Sequence, residues 1–165
     1  AVKLDGNDYV AMLKIADETF KIVIPASVYA SGLVDNENVR WFPAVALGAK
    51  EKVYGQLDVA LTTEANVKMV ADVENATGTL NVEAGKALDL NGNKLTVTGG
   101  EVVFKKESLV KAANAGQIVV TGGGSVSAEV GSSFTFQPDP AWFASGLTVK
   151  ENEGVWTVVY DHVHK

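Results

Sequence analysis

Residues 78–100 read GTLNVEAGKALDLNGNKLTVTGG, three short apolar–polar alternations separated by glycine and asparagine. The two apolar residues of each alternation stand two positions apart, so they point to one side of a β-strand. The pairs are Leu80 with Val82, Leu88 with Leu90, and Leu95 with Val97. Segments such as Asn91-Gly92-Asn93 and Gly99-Gly100 between them are typical of tight turns. This stretch therefore predicts very short strands joined by sharp corners.

The same pattern continues towards the C-terminus. Further spaced apolar residues follow at Ile118 and Val120, Val126 and Val130, and Phe134 and Phe136. The phrase Leu-Thr-Val-Thr-Gly-Gly at 95–100 returns as Ile-Val-Val-Thr-Gly-Gly at 118–123. This repeat distance suits one turn of a β-helix. A β-sandwich also uses short strands, but strands this brief with small residues at the corners favour a β-solenoid of about three coils.

The first 48 residues have a different character. Two apolar runs, 9–15 and 20–24, are separated by a polar bridge and predict a β-hairpin that ends at Pro25. Residues 35–38 supply turn chemistry before a further apolar segment. The expected fold class is therefore all-β. A β-rich head covers residues 1–48, and residues 49–165 form a solenoid that ends in a closing strand pair.

Two segments have helical spacing. Leu57, Ala60, Leu61 and Ala65 predict one short helix between residues 55 and 66, placed to cover one end of the stack. A second segment, 106–115, has a weaker pattern in which Leu109, Ala112 and Ala113 line one side of a turn or two.

Composition excludes several classes of protein. The chain has 14 Lys and Arg residues against 20 Asp and Glu residues, so it offers no basic face for nucleic acid. It contains no cysteine, which excludes disulfides, thiolate nucleophiles and thiolate metal sites. No uncharged run approaches the roughly 18 to 20 apolar residues that a membrane span needs. A start at Ala1 fits either removal of an initiator Met or cleavage of a signal peptide.

Three segments carry a resemblance to a known group of proteins. They are residues 53–57 leading into the predicted helix, residues 67–73, and residues 78–96, with Leu88-Asp89-Leu90-Asn91-Gly92 as the most specific phrase. Together they resemble the right-handed β-helix repeats of bacterial surface proteins and phage fibre or decoration proteins. Residues 143–152 and 154–158 resemble the strand pair that closes such a stack. The resemblance implies a scaffold rather than a reaction.

No catalytic residue is nominated. The acidic residues are scattered, whereas glycan-cleaving β-helix enzymes cluster carboxylates on one face. Asp89 is expected to bond corner amides, and Asp72 to lie at a helix-to-strand junction. Residues 121–125 lack the Lys and the Ser or Thr that follow the glycines of a phosphate loop, so a solenoid corner is expected there.

Two groups of residues are candidates for binding. His162 and His164 lie on one side of a strand and resemble the His-x-His pairs that hold a metal at the axis of trimeric phage fibres, although a solvated tail is the commoner role. The second group consists of two aromatic residues in an expected connection and three residues of a strand that is apolar on both faces. Both features are typical of a contact between subunits. Its members are Trp142, Phe143, Trp156, Val158 and Tyr160.

The leading hypothesis is a non-enzymatic virion structural protein, a capsid decoration or head fibre. It would act at the virion surface as a homotrimer without cofactors, contacting a capsid or other virion protein and no membrane or nucleic acid. The first alternative is a secreted bacterial surface or adhesin module that binds a host or carbohydrate ligand. The second is a polysaccharide-active enzyme.

Overall fold

The computed structural model describes the chain except residues 1, 6–7, 16–17, 26–33, 37–38, 42–44 and 162–165, and it describes side chains over residues 45–161. The described residues are mostly β, with one short α-helix, α1, at Leu57–Thr63. The strands are β1 Val2–Asp5, β2 Asp8–Ile15, β3 Glu18–Pro25, β4 Val34–Asn36, β5 Val39–Trp41, β6 Ala46–Leu47, β7 Val53–Tyr54, β8 Asn66–Met69, β9 Val73–Asn75, β10 Thr79–Val82, β11 Ala87–Asp89, β12 Lys94–Val97, β13 Glu101–Phe104, β14 Leu109–Lys111, β15 Gln117–Val120, β16 Ser125–Ala128, β17 Ser133–Phe134, β18 Leu147–Asn152 and β19 Val155–Tyr160.

A β-solenoid of about three coils lies between residues 66 and 134, which confirms the predicted fold. Each coil gives one strand to each of three parallel sheets. Face 1 holds β8, β11, β14 and β17, face 2 holds β9, β12 and β15, and face 3 holds β10, β13 and β16. On face 2, Leu95 pairs with Ile118 and Val97 with Val120, so the repeat distance of the predicted phrase is one coil.

The interior of the coils is the hydrophobic core that the alternation predicts. Leu80, Val82, Leu88, Leu90, Leu95 and Val97 are all buried. Ile118 and Val120 lie on the same inward side, in register with Leu95 and Val97, but Ile118 is only half-buried and Val120 is 40% exposed. Both residues lie on β15, the last described strand of face 2, so no further coil among the described residues covers their side chains.

The corner between face 3 and face 1 repeats from coil to coil. In each repeat a four-residue turn is closed by a backbone hydrogen bond, such as Lys86 N to Glu83 O at 3.1 Å and Ser132 N to Glu129 O at 3.1 Å. The third turn residue has a positive φ, as a type II turn requires, and is Gly85, Glu107 or Gly131. Stacked turns also bond to one another, since Gly85 N donates to Glu107 O at 3.0 Å.

One end of the stack is closed by α1, as predicted. Leu57, Ala60 and Leu61 are buried, and the helix contacts β8 and β10 of the first coil. Lys86 binds the C-terminal end of α1, because its Nζ donates to Leu61 O and Thr62 O. These carbonyls lie in the last turn, where a helix has no internal partners for them.

The head and the solenoid share one sheet. Face 1 continues beyond β8 through β6, β7, β3 and β2 to β1, and beyond β17 through β19 to β18, which makes eleven strands. Within it, β2 and β3 form the predicted hairpin, and β18 and β19 form the predicted closing pair. The hydrogen-bonded sheet therefore crosses the boundary expected at residue 48, because Leu47 of β6 pairs with Lys68 of β8.

The second predicted helical segment is not helical. Within 106–115 the chain forms β14 and a 3₁₀ turn at Ala113–Ala115. The spacing of Leu109, Ala112 and Ala113 is compatible with either structure, and parallel pairing with β11 and β17 decides in favour of the strand.

Candidate functional site

The aromatic residues predicted to meet another chain lie at the closing end of the solenoid. Trp142 is only 8% exposed there. Its ring centroid lies 6.0 Å from the centroids of both Phe104 and Phe134, and 6.3 Å from that of Phe136. The tryptophan therefore closes the core of the last coil and has little surface left for a partner.

A capped 3₁₀ turn holds Trp142 in this position. The turn spans Pro140–Trp142, and its N-cap Asp139 accepts a hydrogen bond from Ala141 N at 2.9 Å. Trp142 N donates to Asp139 O at 3.0 Å. Pro140 suits the first position of such a turn because its missing N–H needs no partner there.

The other predicted contact residues differ in exposure. Val158 is fully buried, so it serves the core of this chain. Phe143 and Trp156 are half-buried, and Tyr160 is 63% exposed. The aromatic surface available to a partner is therefore formed by Phe143, Trp156 and Tyr160, and their role in self-association remains a prediction.

The predicted metal ligands His162 and His164 lie outside the described residues. Within the part of the chain that the structure describes, no group of three or more His, Asp or Glu side chains is placed to hold a metal ion.

The carboxylates singled out in the sequence make hydrogen bonds within the fold. Asp89 Oδ1 accepts from Asn91 N at 2.9 Å, which confirms the expected corner role. Asp72 Oδ1 accepts from Lys94 N at 2.8 Å and so ties the first coil to the second. The expectation that Asp72 lies between a helix and a strand is wrong, since it lies between β8 and β9. Residues 121–124 form a coil corner as predicted, with Gly124 N donating to Thr121 O.

A cleft that no sequence motif marks lies beside the first coil. It has a volume of about 430 Å³ and lies between residues 55–58 at the start of α1 and residues 73–80 of the first coil. Asp58, Glu74 and Asn75 line it. No motif marks these residues, because only the packing of α1 on the first coil brings them together.

Comparisons with known proteins identify no relative: no family model, no curated protein and no solved structure matches the chain. Among the described residues, no helix combines the length and the apolar character needed to cross a bilayer. The function therefore has to be argued from the fold and its surfaces.

Proposed function

We propose that this protein is a non-enzymatic structural component of a virion surface, a capsid decoration or head fibre. Its N-terminal β-rich part attaches to the particle and its solenoid projects. The eleven-stranded sheet is the observation that carries this proposal, because it joins β1 at one edge to β18 at the other. A sheet of eleven strands has ten steps of about 4.8 Å, so its edge strands lie about 48 Å apart along the sheet.

Backbone hydrogen bonds run across the whole of this sheet. Paired strands connect the closing hairpin to the N-terminal hairpin without a break. Such a connection suits a spacer that holds its closing hairpin away from the particle. Both ends of face 1 are extended by antiparallel strands, so the coils do not present this face for stacking with further coils. These features support a display module of fixed length.

The proposal is tested by fractionation of the source culture. Virus particles are purified through a density gradient and probed with antibody against the solenoid, and intact bacterial cells are probed in parallel. The proposal expects the protein to band with the particles. Labelling of intact cells together with particle fractions free of the protein would contradict it and favour the bacterial surface module.

The proposed lack of catalysis has its own test. The purified protein is incubated with a panel of acidic and neutral polysaccharides, and reducing ends are measured. We expect no release. Release that is abolished by replacing one acidic residue, such as Glu74→Gln, would show a polysaccharide-active enzyme instead.

A further inference from the structure

The cleft beside the first coil has an open strand edge along one wall. Face 2 has the strand order β15, β12, β9, so β9 has no strand on its outer side among the described residues. The neighbouring first-coil strands are covered, since β8 pairs with β6 and β10 packs under α1. β10 is also the end strand of its sheet and lines the cleft with Thr79 and Leu80, but α1 packs against it, whereas β9 leaves its outer edge to the cleft.

The backbone of β9 presents hydrogen-bonding groups to this cleft. Asn75 O accepts from Thr98 N at 3.0 Å, so the backbone groups of Asn75 point towards the second coil. Successive residues of a strand point their backbone groups to opposite sides. The N–H and C=O of Glu74 therefore point into the cleft, where an added strand can pair with them.

Asn75 differs from Glu74 in the direction of its side chain. Its side chain is 8% exposed, and its Nδ2 donates to Glu101 O at 3.0 Å and to Gly78 O at 3.3 Å. Its Oδ1 accepts no hydrogen bond from the described residues, although this atom is not sealed from solvent. Because side chains alternate along a strand, this oxygen lies on the face of β9 opposite to the Glu74 carboxylate.

The charges of the cleft have one sign. Asp58 and Glu74 line it, and none of its described lining residues is Lys, Arg or His. Both carboxylates are exposed, and each is held by one hydrogen bond, Asp58 by Val59 N and Glu74 by Thr98 Oγ1. The two carboxylates are acceptors that a guanidinium or ammonium group can satisfy.

We infer that this cleft binds an extended segment of a partner protein that adds to the edge of β9 and places an Arg or Lys side chain between Asp58 and Glu74. Backbone pairing at Glu74 holds the segment at the edge of β9, and the basic side chain donates to the two carboxylates. The inference goes beyond the proposed function and holds for a virion surface or a bacterial one.

The experiment uses the full chain labelled with ¹⁵N and two synthetic peptides of equal length. Both alternate valine and threonine, and the central residue is arginine in one and glutamate in the other. We expect the arginine peptide to shift the amide signals of Asp58, Glu74 and Asn75, and to bind at least about tenfold more tightly than the glutamate peptide. Equal affinities, no binding at millimolar peptide, or shifts confined to other surfaces would overturn the inference.

The double variant Asp58→Asn, Glu74→Gln removes both charges and keeps the oxygens that accept from Val59 and Thr98. It should lower affinity for the arginine peptide by about tenfold or more. The matched control, Glu83→Gln with Glu153→Gln, changes two exposed carboxylates outside the cleft and should leave affinity unchanged. Arginine amide serves as a last probe: if it binds as tightly as the arginine peptide, the cleft takes a small cation and strand addition is wrong.

Discussion

Two neighbouring corners of the stack place different residues in the same left-handed conformation. In one corner Asn91 and Gly92 have φ of 46° and 76°, and in the next Asn114 and Ala115 have φ of 57° and 63°. Asn114 Nδ2 donates to Asn91 Oδ1 at 2.9 Å, so the corners are stacked. Of these four residues, Ala115 alone bears the steric cost of a β-carbon without a side chain that bonds locally.

Exchanging glycine and alanine between these corners should change stability in opposite directions. Ala115→Gly is expected to raise the free energy of unfolding by about 0.5 to 1 kcal/mol because it relieves the positive φ. Gly92→Ala is expected to lower it by about 1 to 2 kcal/mol, since its new Cβ is strained and lies 3.1 Å from Asn114 O. Urea unfolding measures both, and a destabilised Ala115→Gly would refute the assigned turn.

Core residues test the inward direction of the alternating strands. Leu90 is fully buried, so Leu90→Ala should cost about 2 to 5 kcal/mol through lost burial and a cavity. Val120 is 40% exposed at the last strand of face 2, and Val120→Ala should cost less than about 0.5 kcal/mol. Equal losses in urea unfolding would mean that face 2 continues into a further coil.

Among the elements, α1 depends on a contact from the corner that follows the first coil. Lys86→Met keeps the length of the side chain but removes its donors to Leu61 O and Thr62 O. We expect a loss of about 1 kcal/mol, with faster hydrogen exchange in α1 and unchanged exchange in β11 and β12. Lys94→Met is the control, since its exposed side chain makes no hydrogen bond with the described residues. Unchanged exchange in α1 would show that Lys86 does not stabilise the helix.

The sequence predicts the elements better than the surfaces between them. The alternation at Leu88 and Leu90 shows which side chains point inward. The repeated phrase, which pairs Leu95 with Ile118, gives the length of one coil. Val120 has the same alternation but lies on the last described strand of face 2. The local sequence does not reveal that face 2 stops there. The cleft is likewise invisible, because Asp58 and Glu74 come together only through the packing of α1. Local patterns thus report periods, whereas ends and clefts depend on what packs next to them.

For the whole molecule, self-association remains a prediction based on the closing end. On β19, Tyr160 is exposed and Trp156 is half-buried, and β18 is an edge strand with no partner but β19 among the described strands. A homotrimer has three times the monomer mass of 17.4 kDa. Light scattering at micromolar concentration should give this threefold mass, and Tyr160→Ser with Trp156→Ser should reduce it. A mass near that of the monomer for the unaltered protein would contradict a self-sufficient oligomer.

The proposed virion role predicts an orientation from the order of strands in the long sheet. If the N-terminal part attaches and the solenoid projects, Tyr160 near the β18 edge lies farther from the shell than the N-terminus. The chain contains no cysteine, so Tyr160→Cys provides a single site for a gold label, and a gold-binding tag marks the N-terminus of a second sample.

Radial positions of the two labels on purified particles, measured by electron cryomicroscopy, test the account most directly. We expect gold at Tyr160 to lie farther out than gold at the N-terminus, by up to roughly 43 Å, because about nine strand spacings separate β1 from β19. Gold at the N-terminus lying farther out than gold at Tyr160, or particles that carry neither label, would contradict it.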